Sequence, residues 1–422
     1  MPKISRPGGE SEQRKRRRRW TIPAAPRLLL HPFEASDVIE EVEGALGLAL
    51  FVSLRSALLW NGTPPALRAE LFYGDGSDNL LPVVRVAGTD LPSLGRAFAT
   101  FERILTEPDN IDSKTAAAAC ADVSDWASEQ GFAAAALEFA EAAAALRPRD
   151  SGFAFLAGRV ARQQAAYERA EQWYDRSLGL ARRIGDRSGM ADALLGWGIM
   201  ASQVGDHARA AALYTRAYRS ARKGDNRRLG AAAQHNLLLL AVDTGELEAA
   251  GRHASLAARL YGVDDPRFPI LAHDTAHLWA TQDFFHPALP VYHAALPFII
   301  KIPERVQAYA NIAEAAGVLG DSETFFMAWD FVSRHSRAAG QFLAISVLSV
   351  AEGARALGHR QGASDLVQQA KKAARQRQQP DAEAAAIRIE ASMRDGDPTR
   401  SPRAAPPDIL SLADHFTRTL TS

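Results

Sequence analysis

Between about Ala116 and Arg377, small and apolar residues recur at helical spacing and are interrupted at regular intervals by short polar turns. Ala193 to Ala217, ALLGWGIMASQVGDHARAAALYTRA, is the clearest example, with an apolar-faced helix on each side of Gly205-Asp206. Equivalent turns fall at Gly131, Ala165, Gly205, Gly245, Asp283, Gly320 and Gly358, at intervals of 34, 40, 40, 38, 37 and 38 residues. The pattern predicts seven helix–turn–helix units. A single helix pair cannot bury both of its faces, so such units must stack in series and complete one another's core.

Residue size at fixed offsets from the turns predicts how each pair closes. Five residues on stand Ala136, Ala170, Ala210, Ala250, Ala288, Phe325 and Ala363; nine on stand Ala140, Tyr174, Tyr214, Ala254, Tyr292, Trp329 and Val367. Twelve on, Ala143, Ser177, Ala217, Ala257, Ala295, Val332 and Ala370 complete the same helical face. The small residue lets two helices touch, and a large one four residues later fills the space toward the next pair.

At these residues the chain resembles the tetratricopeptide repeat (TPR) family, whose signature combines an aromatic, Leu-Gly, a later Ala-x3-aromatic and a closing Pro. Trp197-Gly198, Ala210 with Tyr214, and Pro148 carry the likeness, which covers about 260 of the 422 residues. Repeats of 37–40 residues resemble the longer-helix variants of bacterial regulators. The resemblance implies an all-α fold, a right-handed TPR-like α-solenoid of about seven helix pairs with an irregular helical N-terminal module. It implies a non-enzymatic scaffold or adaptor that binds a peptide or protein partner in a concave groove lined by the first helix of each pair. Carried over unit by unit, that groove takes in Phe155, Arg159, Arg162, Gln163, Leu195, Ile199, Gln203, His235, His273 and His277, with Asp125, Glu129, Glu314, Glu352 and Arg355 beside them. The Lys and Asn arrangement by which chaperone-binding relatives hold a C-terminal carboxylate is missing from these positions.

Two units depart from the rule. Phe325 takes the small position, so packing around Gly320 must open or shift. The stretch FFHPALPVYHAALPFIIKIP carries Pro287, Pro290, Pro297 and Pro303; Pro287 suits a first turn, whereas Pro290 and Pro297 should shorten or kink their helix.

Outside the repeats the pattern predicts four segments: a basic arm at 1–33, a helical module at 34–110, the array with a capping helix at 111–395, and a linker with a short amphipathic helix at 396–422. In the module, Glu34 to Trp60 is expected as one buried helix rather than a membrane span, because Arg55 interrupts an apolar stretch shorter than the roughly 20 residues that a span needs. Further helical pieces are expected at Ala66–Tyr73 and Leu91–Leu105, with a turn at Gly74-Asp75-Gly76 and a separate short run at Val83–Val86. At the other end, Ile409, Leu412, Phe416 and Leu420 share one helical face able to dock on the array or on another molecule.

Charge adds one asymmetry. The chain has 49 basic and 49 acidic residues, yet the first twenty residues carry +6 and the remainder −6. Arg14, Lys15, Arg16, Arg17, Arg18 and Arg19 could contact a polyanion, which makes a nucleic-acid-associated regulator one alternative function. Prolines 23, 26 and 32 interrupt the residues that follow, so no export signal is expected and the location is read as cytoplasmic. The lone Cys120, set among alanines, excludes an internal disulfide and reads as a small buried residue. His273 and His277 stand four apart as in a zinc-binding helix, the second alternative being a metal-dependent hydrolase centred on them. Asp274 stands where zinc proteases carry Glu, and the helix otherwise follows the packing rule. No cofactor is expected.

Overall fold

The computed structural model describes residues 22–28, 37–72 and 75–422, and every element among them is helical. They divide into two compact units, residues up to Met200 and residues from Ala201. The fold is the all-α, TPR-like array of helix pairs.

The first unit opens with α1 (Asp37–Glu41), α2 (Gly44–Gly62), α3 (Pro65–Phe72), α4 (Asp75–Asp90) and α5 (Gly95–Thr106). The pairs α6 (Ser113–Gln130) with α7 (Ala133–Leu146), and α8 (Ser151–Gln163) with α9 (Tyr167–Ile184), follow, and then α10 (Arg187–Gln203). The second unit contains α11 (His207–Lys223) and the pairs α12 (Arg227–Asp243) with α13 (Leu247–Leu260), and α14 (Phe268–Thr281) with α15 (Phe285–Ala295). Next come α16 (Ile302–Leu319) with α17 (Ser322–Arg334), α18 (Leu343–Ala356) with α19 (Arg360–Gln376), and the single helices α20 (Pro380–Asp395) and α21 (Pro407–Thr421).

All seven expected turn residues have positive φ, from 57° at Ala165 to 84° at Gly131. Each turn is closed by the same backbone bond: the N–H of the following residue donates to the carbonyl five positions before it, at 2.7–2.9 Å, as in Phe132 to Ala127 and Phe284 to Trp279. This is the capping geometry that satisfies a late helical carbonyl while reversing the chain. Ala165 and Asp283 adopt it without the freedom of glycine, at a steric cost.

The size rule holds in the packing. All seven residues at the five-residue offset and all seven at the twelve-residue offset are buried. Tyr174 shows why small and large must alternate: a Cβ on Gly158 would lie 2.9 Å from its ring, and one on Gly196 would lie 2.6 Å from it. One aromatic thus fills the gap between its own pair and the next. Cys120 is buried as expected, and burial pushes its thiol pKa up.

Around Gly320 the packing shifts as the bulky residue requires. Phe325 is fully buried and touches the space beside Gly353. In compensation α16 and α18 meet backbone to backbone: a Cβ on Gly317 would sit 2.4 Å from the Gly353 Cα. Trp329, expected as the filling aromatic, is only half-buried, and Ala328 beside it is buried instead. In α15, Pro290 is tolerated inside a helix of 11 residues that gives way to a 3-10 turn at Leu296–Phe298. The prolines shorten this second helix.

The N-terminal module differs from expectation in two places. The expected single helix is broken between α1 and α2, where Gly44 has φ +74°; Ser36 and Glu34 lie outside the described residues. Val83–Val86 is not a separate run but lies inside α4, whose 16 residues include Pro82. Periodicity over four residues cannot distinguish a strand-like run from a helix segment. The module covers the first pair: Glu41 accepts from the Ala134 and Ala135 N–H groups at 3.1 and 3.0 Å, capping α7 across 93 residues of chain. Among the described residues α2 is the one helix long and apolar enough to cross a membrane, and ten of its residues are buried here, with Trp60 donating to the Pro108 carbonyl at 2.7 Å.

Candidate functional site

In the first unit the expected groove residues make mainly local contacts. Phe155 packs on Tyr174 with ring centroids 6.0 Å apart, and Leu195 is buried. Arg159 and Arg162 do not converge. Arg159 pairs with Asp125 of the preceding pair, while Arg162 Nε lies 3.4 Å from the Tyr174 hydroxyl. Gln163 is exposed and Ile199 half-buried. The Arg14–Arg19 run lies outside the described residues.

A different kind of contact runs along this unit. Residues 22–28 are extended against α9, where Pro26 is buried and a Cβ on Gly179 would lie 2.9 Å from Pro23 Cδ. Arg176 Nη1 donates to the Pro23 carbonyl at 2.6 Å, and Arg169 Nη2 to the Arg27 carbonyl at 2.7 Å. Arg169 is itself held by the buried carboxylate of Glu141, which also accepts from Trp173 Nε1 at 2.9 Å.

In the second unit a polar ladder crosses four first helices. His235 Nε2 on α12 meets Asp274 Oδ2 on α14 at 2.8 Å; Asp274 Oδ1 meets His273 Nδ1 at 3.3 Å, and His273 Nε2 meets Asn311 Nδ2 on α16 at 3.3 Å. Gln307 Nε2 donates to Asn311 Oδ1 at 2.8 Å, and Gln307 Oε1 accepts from the Ser346 hydroxyl of α18 at 2.9 Å. An amide N–H can only donate, so His273 Nε2 accepts and its proton sits on Nδ1, directed at Asp274. Burial pushes the Asp274 carboxyl up, but hydrogen bonds from His235 and His273 more than offset it and hold its pKa well below the usual carboxylate range.

Both nitrogens of His273 are thus engaged. His277, one turn on, is exposed at its edge, yet desolvation by its neighbours and the adjacent His273 hold its pKa below the ordinary histidine value. Among the described residues no three His, Cys, Asp or Glu side chains are grouped to hold a metal ion. Gln203, also in this unit, is exposed.

Beside the ladder lies the most elaborate charged contact of the unit. Residues 396–406 run from α20 to α21 and lay Arg400 across the ends of α14 and α16. Its Nε donates to Asp283 Oδ1 at 2.8 Å, its Nη1 to Glu314 Oε1 at 2.6 Å and its Nη2 to the Ala280 carbonyl. The guanidinium also stands 4.7 Å from the ring centroid of Phe285. Hydrogen bonds to its backbone fix the segment on both sides: the Arg403 N–H donates to the Asp283 carbonyl at 2.8 Å, and the Arg355 side chain donates through Nη2 to the Asp397 carbonyl at 2.7 Å. Burial raises the pKa values of Glu314 and Glu352, with Arg400 pulling both back.

The expected amphipathic helix docks on the array. In α21 Phe416 is fully buried, 5.4 Å from the Phe268 ring and 6.4 Å from Trp279, so α21 packs on α14 and α15. A cleft of about 700 Å³ remains between α21 and α13, lined by Leu256, Arg259, Trp279, Ile409 and Leu412 among others.

Glu314 was among the expected lining residues, whereas Arg400 and the charged role of Asp283 were not. The one sequence signal is an Asp at a turn position otherwise held by Gly or Ala.

No family model matches the sequence, and no curated protein matches it. Three solved structures align with it at 13% identity. BtubC (BKLC) from P. vanneervenii aligns over 55% of this chain and 94% of its own, with a TM-score of 0.41. The Cut9–Hcn1 heterotetramer of the APC/C aligns over 80% of this chain and 62% of its own, with a TM-score of 0.46. A Rap protein complexed with competence and sporulation factor aligns over 82% and 98%, with a TM-score of 0.36. With every TM-score below 0.5, the TPR-like character of this chain rests on its own seven turns, their common closing bond and the alternation of small and large residues.

Proposed function

We propose that the chain is a non-enzymatic interaction module, a scaffold or regulatory adaptor, that holds a peptide or protein partner against the first helices of its pairs. The observation that carries this reading is residues 396–406: an extended stretch of polypeptide already lies across the ends of α14 and α16, held by side chains of those helices and by backbone bonds. A surface that accepts one extended segment has the donors, acceptors and depth to accept another. The polar ladder from His235 to Ser346 supports the reading in a second way, because it fixes the spacing of α12, α14, α16 and α18 and so presents a preorganised surface.

Photo-crosslinking tests it. A crosslinking amino acid placed at Gln163, Gln203 or Thr281, exposed on first helices, should trap a partner in native lysate; the same group at Arg216 or Glu248, exposed on second helices, should not. Trapping confined to the second-helix positions, or none at any position, overturns the groove as the binding surface.

A further inference from the structure

Arg400 is bound in a way that only a guanidinium can satisfy. Three different nitrogens, Nε, Nη1 and Nη2, donate to three different acceptors, Asp283, Glu314 and the Ala280 carbonyl, while the guanidinium carbon stands 4.7 Å from the Phe285 ring centroid. A lysine ammonium presents one compact charge and cannot span acceptors arranged around a fork. Glu314 is held in place from α18 as well, through the Ser349 hydroxyl. With Arg400 removed, Asp283 and Glu314 would lose the ion pairs it makes with them, whereas Glu352 keeps Arg355 at 3.8 Å.

A second, independent feature points to a ligand. Tyr292 is 1% exposed and its ring is tilted against His273 with centroids 5.2 Å apart, yet its buried hydroxyl has no hydrogen-bond partner among the described residues. Its surroundings include Glu314, Asp274 and Arg400. A buried hydroxyl without a partner is costly, so a polar atom that reached it when the segment opens would gain a hydrogen bond that Arg400 does not supply.

The occupant is also easy to displace. Ser401, Pro402, Arg403 and Ala404 are exposed, so the segment around Arg400 buries little apolar surface. The neighbouring α21 is anchored separately through Phe416. Releasing Arg400 therefore requires only the local opening of 396–406, with α20 and α21 left in place.

We propose that the cradle of Asp283, Glu314, Phe285 and the Ala280 carbonyl is a binding site for an arginine side chain in an extended segment of a partner protein, and that Arg400 is its built-in competitor. The proposal rests on the groove reading above and names what the second unit recognises there. A partner arginine enters when the linker opens, and Arg400 sets the threshold it must exceed.

The test uses the full chain and a fluorescent synthetic peptide carrying residues 396–406, GDPTRSPRAAP. Arg400→Gln should bind the peptide at least about tenfold more tightly than the unsubstituted chain, because the site is no longer occupied in cis. Replacing the peptide's first arginine by lysine or citrulline, or adding Glu314→Gln to the Arg400→Gln chain, should abolish binding. If Arg400→Gln fails to fold, the unsubstituted chain gives the same answer by hydrogen exchange: saturating peptide should speed exchange of the Arg403 amide, and the lysine peptide should not. A folded Arg400→Gln chain that ignores the peptide, equal binding by both chains, or equal binding of the lysine peptide overturns the proposal. Loss of peptide binding with crosslinks retained at first-helix positions removes the arginine site alone, whereas crosslinks confined to second helices remove the groove reading.

Discussion

Each unit carries an extended segment of its own chain, and the two are held by opposite chemistry. In the first unit the array supplies the arginines: Arg169 and Arg176 donate to the backbone carbonyls of Arg27 and Pro23. In the second unit the segment supplies the arginine, and the array answers with Asp283, Glu314 and the Ala280 carbonyl. Every residue has a carbonyl, so the first arrangement reads an extended backbone and, through the close fit at Gly179, a proline. Only one residue type has a guanidinium. The second arrangement reads sequence.

The comparison can be broken most forcefully at the support of the first segment. Glu141 is buried and receives both Arg169 and Trp173, so Glu141→Ala should cost about 3 kcal/mol in denaturant unfolding by leaving the part-buried Arg169 guanidinium without its carboxylate and the buried Trp173 N–H without that acceptor. In the second unit Phe416→Ala should cost about 3 kcal/mol, the lower end for a buried aromatic because α21 can undock rather than leave a cavity; hydrogen exchange across 407–421 should report that release. Arg400→Gln should cost about 1–3 kcal/mol at pH 8 and little near pH 4, as followed by thermal melts across pH. The sign follows from Glu314. Burial already raises its pKa and Arg400 opposes this, so the variant's folded state holds the proton more tightly than the unfolded chain and loses stability as pH rises. The smallest effect belongs to the backbone-read segment: Pro23→Ala leaves the carbonyl that Arg176 binds and should cost less than about 1 kcal/mol.

Much of the fold was legible because it is local. A turn every 34–40 residues located seven left-handed residues, including Ala165 and Asp283, which residue type alone would not have suggested. The size rule expected Tyr174 to fill the space toward the next pair, where it meets Gly158 and Gly196, and the size conflict at Phe325 foretold a shift that the Gly317–Gly353 contact delivers. The break at Gly44 and the helix through Val83 escaped because the N-terminal module has no repeat against which to check a register.

The site was legible only in fragments. Glu314, His273 and His277 follow from their positions on first helices, but a lone helix face cannot reveal that His235 and His273 are joined through Asp274. Arg159 and Arg162, three apart on one face, allowed either a joint grip on an acidic group or pairing with Asp125 and Glu129 of the preceding pair, and Arg159 takes the second course with Asp125. Arg400 was invisible for a plainer reason, since its partners lie 86 to 120 residues earlier and nothing in the spacing of a proline-containing linker ties it to them.

The central claim is that the second unit reads an arginine side chain, and a double-mutant cycle between Arg400 and Glu314 tests it most directly. Unfolding free energies of the parent chain, Arg400→Gln, Glu314→Gln and the double variant give the coupling of the two side chains free of their separate structural roles. At pH 8 the coupling should be about 1–3 kcal/mol, and the double variant should be more stable than the sum of the single losses implies. Strictly additive losses, with a coupling below about 0.3 kcal/mol, would mean that the guanidinium and the carboxylate merely lie side by side.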